Sequence, residues 1–308
     1  MPTSVAVEPG LEPEPELAPG LAPELHGFRR DLLVAAGSLW RDFPWRATRD
    51  PWLVLVSEVM LQQTQASRVV EPYLRVAARF GSPAACAAAG PAEVVREWEG
   101  LGYNRRAVHL HRAAVAIVER HGGEVPGHLD SLLALPGVGP YTARAVLALA
   151  FGAPVGIVDT NVARVLARAV AGRPLRPRET QELADRLVPA DDVWRFTQAL
   201  FDLGAGPCAA RAPSCGSCPV ARDCRWAAGG HRCPDPAAAA RRRQSEFKGS
   251  DREGRGRLVR ALRRSPVHVS GLAAAAGWPG DSERALRVAA ALVHEGLAGW
   301  AEDALVLV

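Results

Sequence analysis

Four cysteines late in the chain are spaced so that their sulfurs can ligate one metal centre. They follow the pattern Cys-x6-Cys-x2-Cys-x5-Cys, from Cys208 through Cys215 and Cys218 to Cys224. Prolines within and beside the run disfavour a helix, so the four thiols can converge. Four thiolates in a compact loop suit either a tetrahedral zinc ion or an iron–sulfur cube. Zinc ribbons usually pair two Cys-x2-Cys hooks; this run has one, which favours iron–sulfur.

Two carboxyl groups have surroundings that predict different protonation states. Glu58 lies among apolar residues of a predicted helix, where burial would raise its pKa. Asp159 precedes the predicted helix Val162–Val170, whose N–H groups would hold the carboxylate ionised. The ordinary interpretations are a solvent-exposed helical Glu and a simple helix cap. As a pair, an acid and a carboxylate suit glycosidic bond cleavage, in which one protonates the leaving group and the other stabilises the sugar cation.

A glycine-containing turn joins two apolar helical runs between Leu135 and Thr142, with the sequence LPGVGPYT. Gly137 and Gly139 permit tight backbone geometry and close approach of a ligand. A helix that opens at about Tyr141 would direct free backbone N–H groups outward, where a DNA phosphate could bind. An ordinary corner between two helices is the alternative.

Together these motifs resemble the endonuclease III and MutY branch of the helix-hairpin-helix DNA glycosylases, over residues 25–227. The cysteine spacing resembles the cluster loop of that family, and LPGVGPYT resembles its hairpin. The sequence EVMLQQTQ, which begins at Glu58, closely matches the signature of the MutY adenine glycosylases. The resemblance implies base-excision repair of adenine opposite 8-oxoguanine or guanine in double-stranded DNA. It also implies a mainly structural [4Fe–4S] cluster on the four cysteines.

The resemblance further implies a role for each matching residue. Glu58 would protonate the adenine, and Asp159 would stabilise the sugar cation, while Asn161 would orient either Asp159 or the sugar. Tyr141 stands where members that also cut the backbone place a Lys nucleophile, so hydrolysis by water is implied. The other matches are DNA contacts near the substrate adenine, beside the opposing base and at the hairpin: Arg46, Gln63, Thr64, Tyr103, Gly137 and Gly139.

Two alternatives remain at this point. Thymine-mismatch glycosylases of the superfamily also place Tyr at the position of Tyr141, so a glycosylase for thymine or another base is one alternative. A non-catalytic iron–sulfur DNA-binding protein is the other. The presence of both Glu58 and Asp159 argues against a binding protein, since binding alone needs neither.

The elements that must position these residues are predicted to be helices. Abundant Ala and Leu, and apolar residues at intervals of three and four, favour an all-α, helix-hairpin-helix glycosylase fold. The final segment, with three predicted helices and two short apolar stretches, is typical of a winged helix or of a helical cap. The predicted organisation is a disordered tail (1–23), a glycosylase domain (24–233), a linker (234–256) and a winged-helix-like unit (257–308). Within the glycosylase domain we expect a six-helix barrel lobe (about 44–157) and an iron–sulfur lobe (24–43 and 158–233).

The charge distribution favours a nucleic-acid partner. Residues 1–28 carry five acidic residues and no Lys or Arg, so the remaining chain has a formal net charge of +9. No signal peptide or membrane span is apparent, and six cysteines in a reducing compartment favour metal use over disulfides. We therefore expect a bacterial cytoplasmic, nucleoid-associated monomer. The segment after residue 227 is too short for the Nudix-like domain with which MutY proteins recognise 8-oxoguanine.

Overall fold

The computed structural model describes residues 23–230, 234–237 and 246–308. The predicted disordered tail, apart from Pro23, lies outside the described residues. The main body is helical, as predicted. Its α-helices are α1 (Pro23–Val34), α2 (Ala36–Leu39), α3 (Pro51–Leu61), α4 (Ala66–Arg79), α5 (Pro83–Ala89), α6 (Pro91–Glu97), α7 (Arg105–His121), α8 (Leu129–Leu133), α9 (Pro140–Leu149), α10 (Thr160–Val165), α11 (Pro177–Leu187), α12 (Val193–Ala205) and α13 (Arg225–Ala228).

Prolines and capping side chains determine where many of these helices begin. Proline is the first residue of α3, α5, α6, α9 and α11, where its missing N–H costs no helical hydrogen bond. The side chains of Asp50 and Ser82 cap α3 and α5 by accepting from backbone N–H groups in the first turn. Each stretch that carries a predicted site residue therefore has a defined starting point.

Two sets of packed helices carry the predicted catalytic residues. Helix α3 packs against α4, α7 and α9, while α10 packs against α12. After Val165 the α10 helix continues as a π-helical turn, Leu166–Ala171. Gly204 on α12 allows this close packing, since a Cβ there would lie 2.9 Å from the Cβ of Asn161. The fold thus brings the start of α10 close to α12.

The C-terminal unit contains three helices and a small sheet, the elements of a winged helix. The helices are α14 (Asp251–Leu262), α15 (Leu272–Ala276) and α16 (Ser282–His294). The antiparallel strands β1 (Val267–His268), β2 (Ala298–Ala301) and β3 (Ala304–Leu307) are arranged in the order β1-β3-β2. Helix α14 begins inside the predicted linker, because Ser250 caps it by accepting from Glu253 N–H.

This C-terminal unit packs directly on the main body. The guanidinium of Arg263 donates to the Val95 carbonyl at 3.0 Å and to the Asn104 side-chain oxygen at 2.8 Å. The buried apolar residues of the unit also belong to the same core as those of the main body. None of the described helices is long and apolar enough to cross a membrane.

Candidate active site and cysteine loop

Glu58 is buried near the C-terminal end of α3, with 4% of its surface exposed. Burial is the main cause that raises its pKa to about 7, and the nearby negative charge of Asp159 adds to the rise. A hydrogen bond from the Tyr141 hydroxyl opposes the rise in part. The Oε2 atom of Glu58 has no hydrogen-bond partner among the described residues. The side chain therefore holds a proton near neutral pH and lines an open cleft.

Asp159 caps α10 from the other wall of the same cleft. Its Oδ1 accepts from the backbone N–H groups of Asn161 at 2.8 Å and Val162 at 2.6 Å. Its Oδ2 accepts from the side-chain amide of Asn161 at 3.0 Å. Three N–H donors stabilise negative charge on this carboxylate and fix its direction. The predicted helix cap is therefore confirmed, and the same hydrogen bonds direct the carboxylate.

Tyr141 lies in the first turn of α9, in the cleft between the two carboxyl groups. Burial, followed by the charges of Glu58 and Asp159, raises the pKa of its hydroxyl well above the usual value. The hydroxyl therefore stays protonated and donates to Glu58. A phenol in this position can orient the acid but cannot form a Schiff base.

The residues after α3 form a tight turn at the mouth of the cleft. Gln63 has a φ of +53°, and Tyr103, which is 50% exposed, has a φ of +52°. Such backbone conformations are costly for residues other than glycine, and they concentrate at functional sites. Thr64 is less exposed than Gln63, and its hydroxyl donates to the Gln62 carbonyl at 3.2 Å. Gln63 and Tyr103 thus project toward solvent where a ligand would approach.

The predicted hairpin joins α8 to α9 and is fastened to this turn. Gly137 has a φ of +79°, and a Cβ there would lie 2.6 Å from the Cβ of His109, so only glycine fits. Gly139 precedes α9 and faces open space. The side-chain amide of Gln62 donates to the Thr142 hydroxyl at 3.1 Å. The open backbone at the start of α9 therefore remains accessible to an anion.

Arg46 lines the cleft and is also part of a buried ion pair. Its guanidinium is buried and makes a two-pronged ion pair with Asp202, at 2.7 and 2.8 Å. It also lies over the ring of Trp40, 4.8 Å from the centroid. The ion pair therefore fixes the Arg46 side chain in the lining of the cleft, and its contact with DNA stays a prediction.

The four predicted cysteine ligands surround one small cavity whose other walls are largely apolar. Short 3-10 turns, Cys215–Ser217 and Ala221–Asp223, shape the loop. The guanidinium of Arg168 lies 3.6 Å from the Cys208 sulfur, where it can balance a thiolate charge. No three Cys, His, Asp or Glu side chains within residues 23–230, 234–237 and 246–308 come close enough to hold a single metal ion. The structure thus brings the four predicted ligands together around one cavity.

Comparison with known proteins agrees with this arrangement. Residues 56–190 match the family described as HhH-GPD superfamily base excision DNA repair protein. The adenine DNA glycosylase of Mycolicibacterium smegmatis is 43% identical over 267 residues, covering 85% of this chain and 89% of that protein. The chain belongs to the adenine DNA glycosylase family. The solved structure of a thermostable thymine-DNA glycosylase matches with a TM-score of 0.64 and 33% identity, covering 67% of this chain and 97% of that one.

An endonuclease III–DNA complex also matches this glycosylase, with a TM-score of 0.57 and 25% identity over 68% of this chain and 99% of that one. The predicted helix-hairpin-helix fold is therefore confirmed, and DNA is the substrate class. The structure brings Glu58, Tyr141, Asp159 and Asn161 together at one cleft, with Gln63 and Thr64 at its edge. Tyr103 lies beyond Gln63, in a neighbouring pocket.

Two arginines that support the site are not among the residues predicted from sequence. Arg106 is buried on α7 and donates to the carbonyls of Val59, Met60, Gln62 and Gly102 and to the Thr64 hydroxyl. It thereby ties the Gln63 turn to the Tyr103 loop. The signal that could have identified Arg106 is its position as a charged residue among the apolar residues of a helix. The backbone carbonyls that accept from it cannot be predicted from the sequence.

Arg164 connects the cysteine loop of the glycosylase to the carboxylate of Asp159. Its guanidinium donates to the Cys208 carbonyl at 2.9 Å, the Gly204 carbonyl at 2.6 Å and the Asn161 side-chain oxygen at 2.7 Å. The last bond orients the Asn161 amide so that its nitrogen faces Asp159. A chain of hydrogen bonds therefore runs from the cysteine loop to the carboxylate of Asp159.

Substitution of Arg164 by alanine is expected to lower the rate of base excision about tenfold to a hundredfold, because misorientation of a catalytic group is costly. The single-turnover rate, the affinity for a duplex with a stable abasic analogue and the iron content should be measured together. Arg178→Ala, at an exposed arginine on α11, is the matched control. A normal excision rate in a folded Arg164→Ala protein would show that the connection is not needed.

Proposed function

We propose that this glycosylase hydrolyses the N-glycosidic bond of adenine mispaired with 8-oxoguanine or guanine in double-stranded DNA. One observation carries the proposal. Glu58, a buried carboxyl whose pKa is raised to about 7, lines the same cleft as the hydrogen-bonded carboxylate of Asp159. This pairing of an acid with an anion suits a reaction that develops positive charge on the sugar and negative charge on the leaving base.

The reaction begins when the adenine leaves the duplex and enters the cleft, as enzymes that act on a base require. Glu58 transfers its proton to a ring nitrogen of the adenine, and the C1′–N bond breaks with both electrons moving to the base. Asp159 stabilises the resulting sugar cation. Water adds to C1′ and its proton returns to Glu58, which leaves an abasic site and free adenine.

Tyr141 supports a purely hydrolytic outcome. It occupies the cleft beside Glu58, where its hydroxyl donates a hydrogen bond and offers no amine for a covalent adduct. The product strand is therefore expected to stay intact until it is treated with alkali.

The predicted DNA contacts support a bound duplex at the mouth of the cleft. The open start of α9 after Gly139 suits one phosphate, and the strained Gln63 and Tyr103 suit insertion beside the vacated base position. The two predicted lobes would meet here, since Glu58 and Tyr141 come from one and Asp159 and Asn161 from the other.

We further propose that Cys208, Cys215, Cys218 and Cys224 hold a [4Fe–4S] cluster. Four thiols around one largely apolar cavity, with a single Cys-x2-Cys hook, suit a polynuclear cluster better than a zinc ribbon, which usually pairs two such hooks. When bound, the cluster would supply structural bracing and redox responsiveness. Arg211 and Arg222, both in the same loop, carry positive charge suited to DNA phosphate.

The purified protein is expected to contain iron and sulfide in equal amounts and to absorb visible light broadly. Cys218→Ser should lose the cluster and weaken duplex binding, because the loop would no longer be ordered. Cys86→Ser tests for a general effect of cysteine loss, since Cys86 is buried away from this loop. Stoichiometric zinc in place of iron and sulfide would contradict the assignment.

A panel of mispaired duplexes tests the proposed function. We expect alkali-labile sites at adenine opposite 8-oxoguanine and opposite guanine, and none at thymine opposite guanine. Cleavage at thymine alone would instead support a thymine glycosylase. If protein with an intact cluster leaves no alkali-labile site in any of the duplexes, the proposed function is wrong.

A further inference from the structure

A second pocket lies on the other side of the Gln62–Gln63 turn from the catalytic cleft. Gln62 and Gln63 line both cavities. The main body also contributes Tyr103 and three residues of α7, namely Arg105, Arg106 and His109, and the C-terminal unit contributes Arg252, Arg255 and Glu295. The main body and the C-terminal unit therefore form this pocket together.

Its position suits the nucleotide opposite the excised base. When one base of a pair enters the catalytic cleft, its partner base stays in the duplex. The protein side chains that insert into the duplex then separate the two bases. Here the exposed Gln63 and the half-exposed Tyr103, both in strained backbone conformations, border the second pocket. The orphaned partner base would thus face residues of the C-terminal unit.

The C-terminal unit is held firmly enough to shape this pocket. Arg263 anchors α14 to Val95 and Asn104, directly beside Tyr103 in sequence. Gly296, which follows Glu295, has a φ of +74° and packs so closely on Arg112 that a Cβ would lie 2.5 Å from its guanidinium. These contacts fix the position of Glu295 relative to the main body.

The polar groups in the pocket match one form of guanine better than the other. Arg255 donates to both carboxylate oxygens of Glu295, at 3.0 and 2.5 Å, and about a quarter of each side chain stays exposed. Each of these oxygens has a second lone pair, so the pair offers an acceptor beside a donor. Guanine presents only acceptors, N7 and O6, on its major-groove edge. The oxidised base carries a hydrogen on N7 beside a C8 carbonyl, which gives a donor beside an acceptor.

We propose that this pocket receives the base opposite the excised adenine, and that Glu295 and Arg255 discriminate 8-oxoguanine from guanine there. Glu295 accepts the N7–H of the oxidised base and repels the N7 lone pair of guanine, while Arg255 donates to the C8 carbonyl. The inference rests on the proposed function. It gives the short C-terminal unit a role in recognising the mispair.

The test compares full-length wild-type protein with Glu295→Gln. Affinity is measured for duplexes that carry a stable abasic analogue opposite either 8-oxoguanine or guanine, so no catalysis is needed. The preference for 8-oxoguanine should fall about tenfold in the variant, because an amide loses the charged acceptor and offers guanine N7 a donor. Glu283→Gln, at an exposed residue of α16, should keep the wild-type preference.

A second variant covers the case in which Glu295→Gln fails to fold. Arg255→Lys keeps the charge but loses the planar fork, and it should also reduce the preference. An unchanged preference in either folded variant, or an equal loss for both duplexes, would overturn the inference, as would a wild-type protein without preference. If wild-type protein excises no adenine from the mispair panel, the proposed function fails instead, so the two failures are distinguishable.

Discussion

Replacing Asp159 with asparagine is expected to lower the single-turnover rate of adenine excision about a thousandfold, since loss of preorganised electrostatic stabilisation has effects of that order. Asp159 receives three N–H donors and lines the cleft in which the sugar cation would form. Asparagine keeps the shape and can still accept from the backbone N–H groups that begin α10. It removes the negative charge that the cation needs.

The Asp159→Asn protein should therefore fold and bind DNA. Its affinity for a duplex with a stable abasic analogue should stay within a few-fold of wild type, and its iron content should be unchanged. Excision at a rate near that of wild type would show that the carboxylate acts only as a helix cap.

Replacing Glu58 with glutamine is expected to reduce the excision rate by about a thousandfold, within the range seen when a general acid is removed. Glutamine matches the buried side chain in volume but cannot transfer a proton to the departing adenine. The single-turnover rate on adenine opposite 8-oxoguanine measures the effect. Glu119→Gln, at an exposed position on α7, is the matched control and should leave the rate unchanged. A rate for Glu58→Gln within about threefold of the control would exclude Glu58 as the acid.

Sequence alone predicts the two carboxyl groups because each depends mainly on its local surroundings. Glu58 is predicted by the apolar residues around it and by its matched motif, and the structure buries it. Asp159 is predicted by its position before an apolar helix, and the structure makes it the cap of α10. The Cys208–Cys224 spacing likewise predicts a shared site, since the loop is short enough for the thiols to converge.

Partners that are distant along the chain are what sequence cannot supply. The Pro-Trp-Arg motif locates Arg46 near the cleft, but only the fold reveals that Asp202 pairs with it. Arg164 looks like any helical arginine until α10 and α12 bring the Asn161 amide and the Cys208 carbonyl to it. Every residue type has the same backbone carbonyl, so a pattern of side chains cannot predict which carbonyls will accept these hydrogen bonds.

In the C-terminal unit, too, the sequence predicts the local elements but not the tertiary contacts. Its three helices and hairpin follow from apolar periodicity and caps, and the side chain of Asp281 caps α16. Strand β1, with two residues, is too short to give a periodic signal. The pocket between Tyr103 and Glu295 depends on docking of the unit through Arg263, which is a tertiary contact.

The pH dependence of adenine excision tests the central claim most directly. Glu58 must be protonated to act, and its pKa in the folded protein is about 7. The single-turnover rate on adenine opposite 8-oxoguanine should therefore be constant below that pH and fall about tenfold for each further unit of pH above it. The residual rate of Glu58→Gln should lack this descending limb. A wild-type rate that rises through neutral pH, or the same descending limb in Glu58→Gln, would contradict the assignment of Glu58 as the acid.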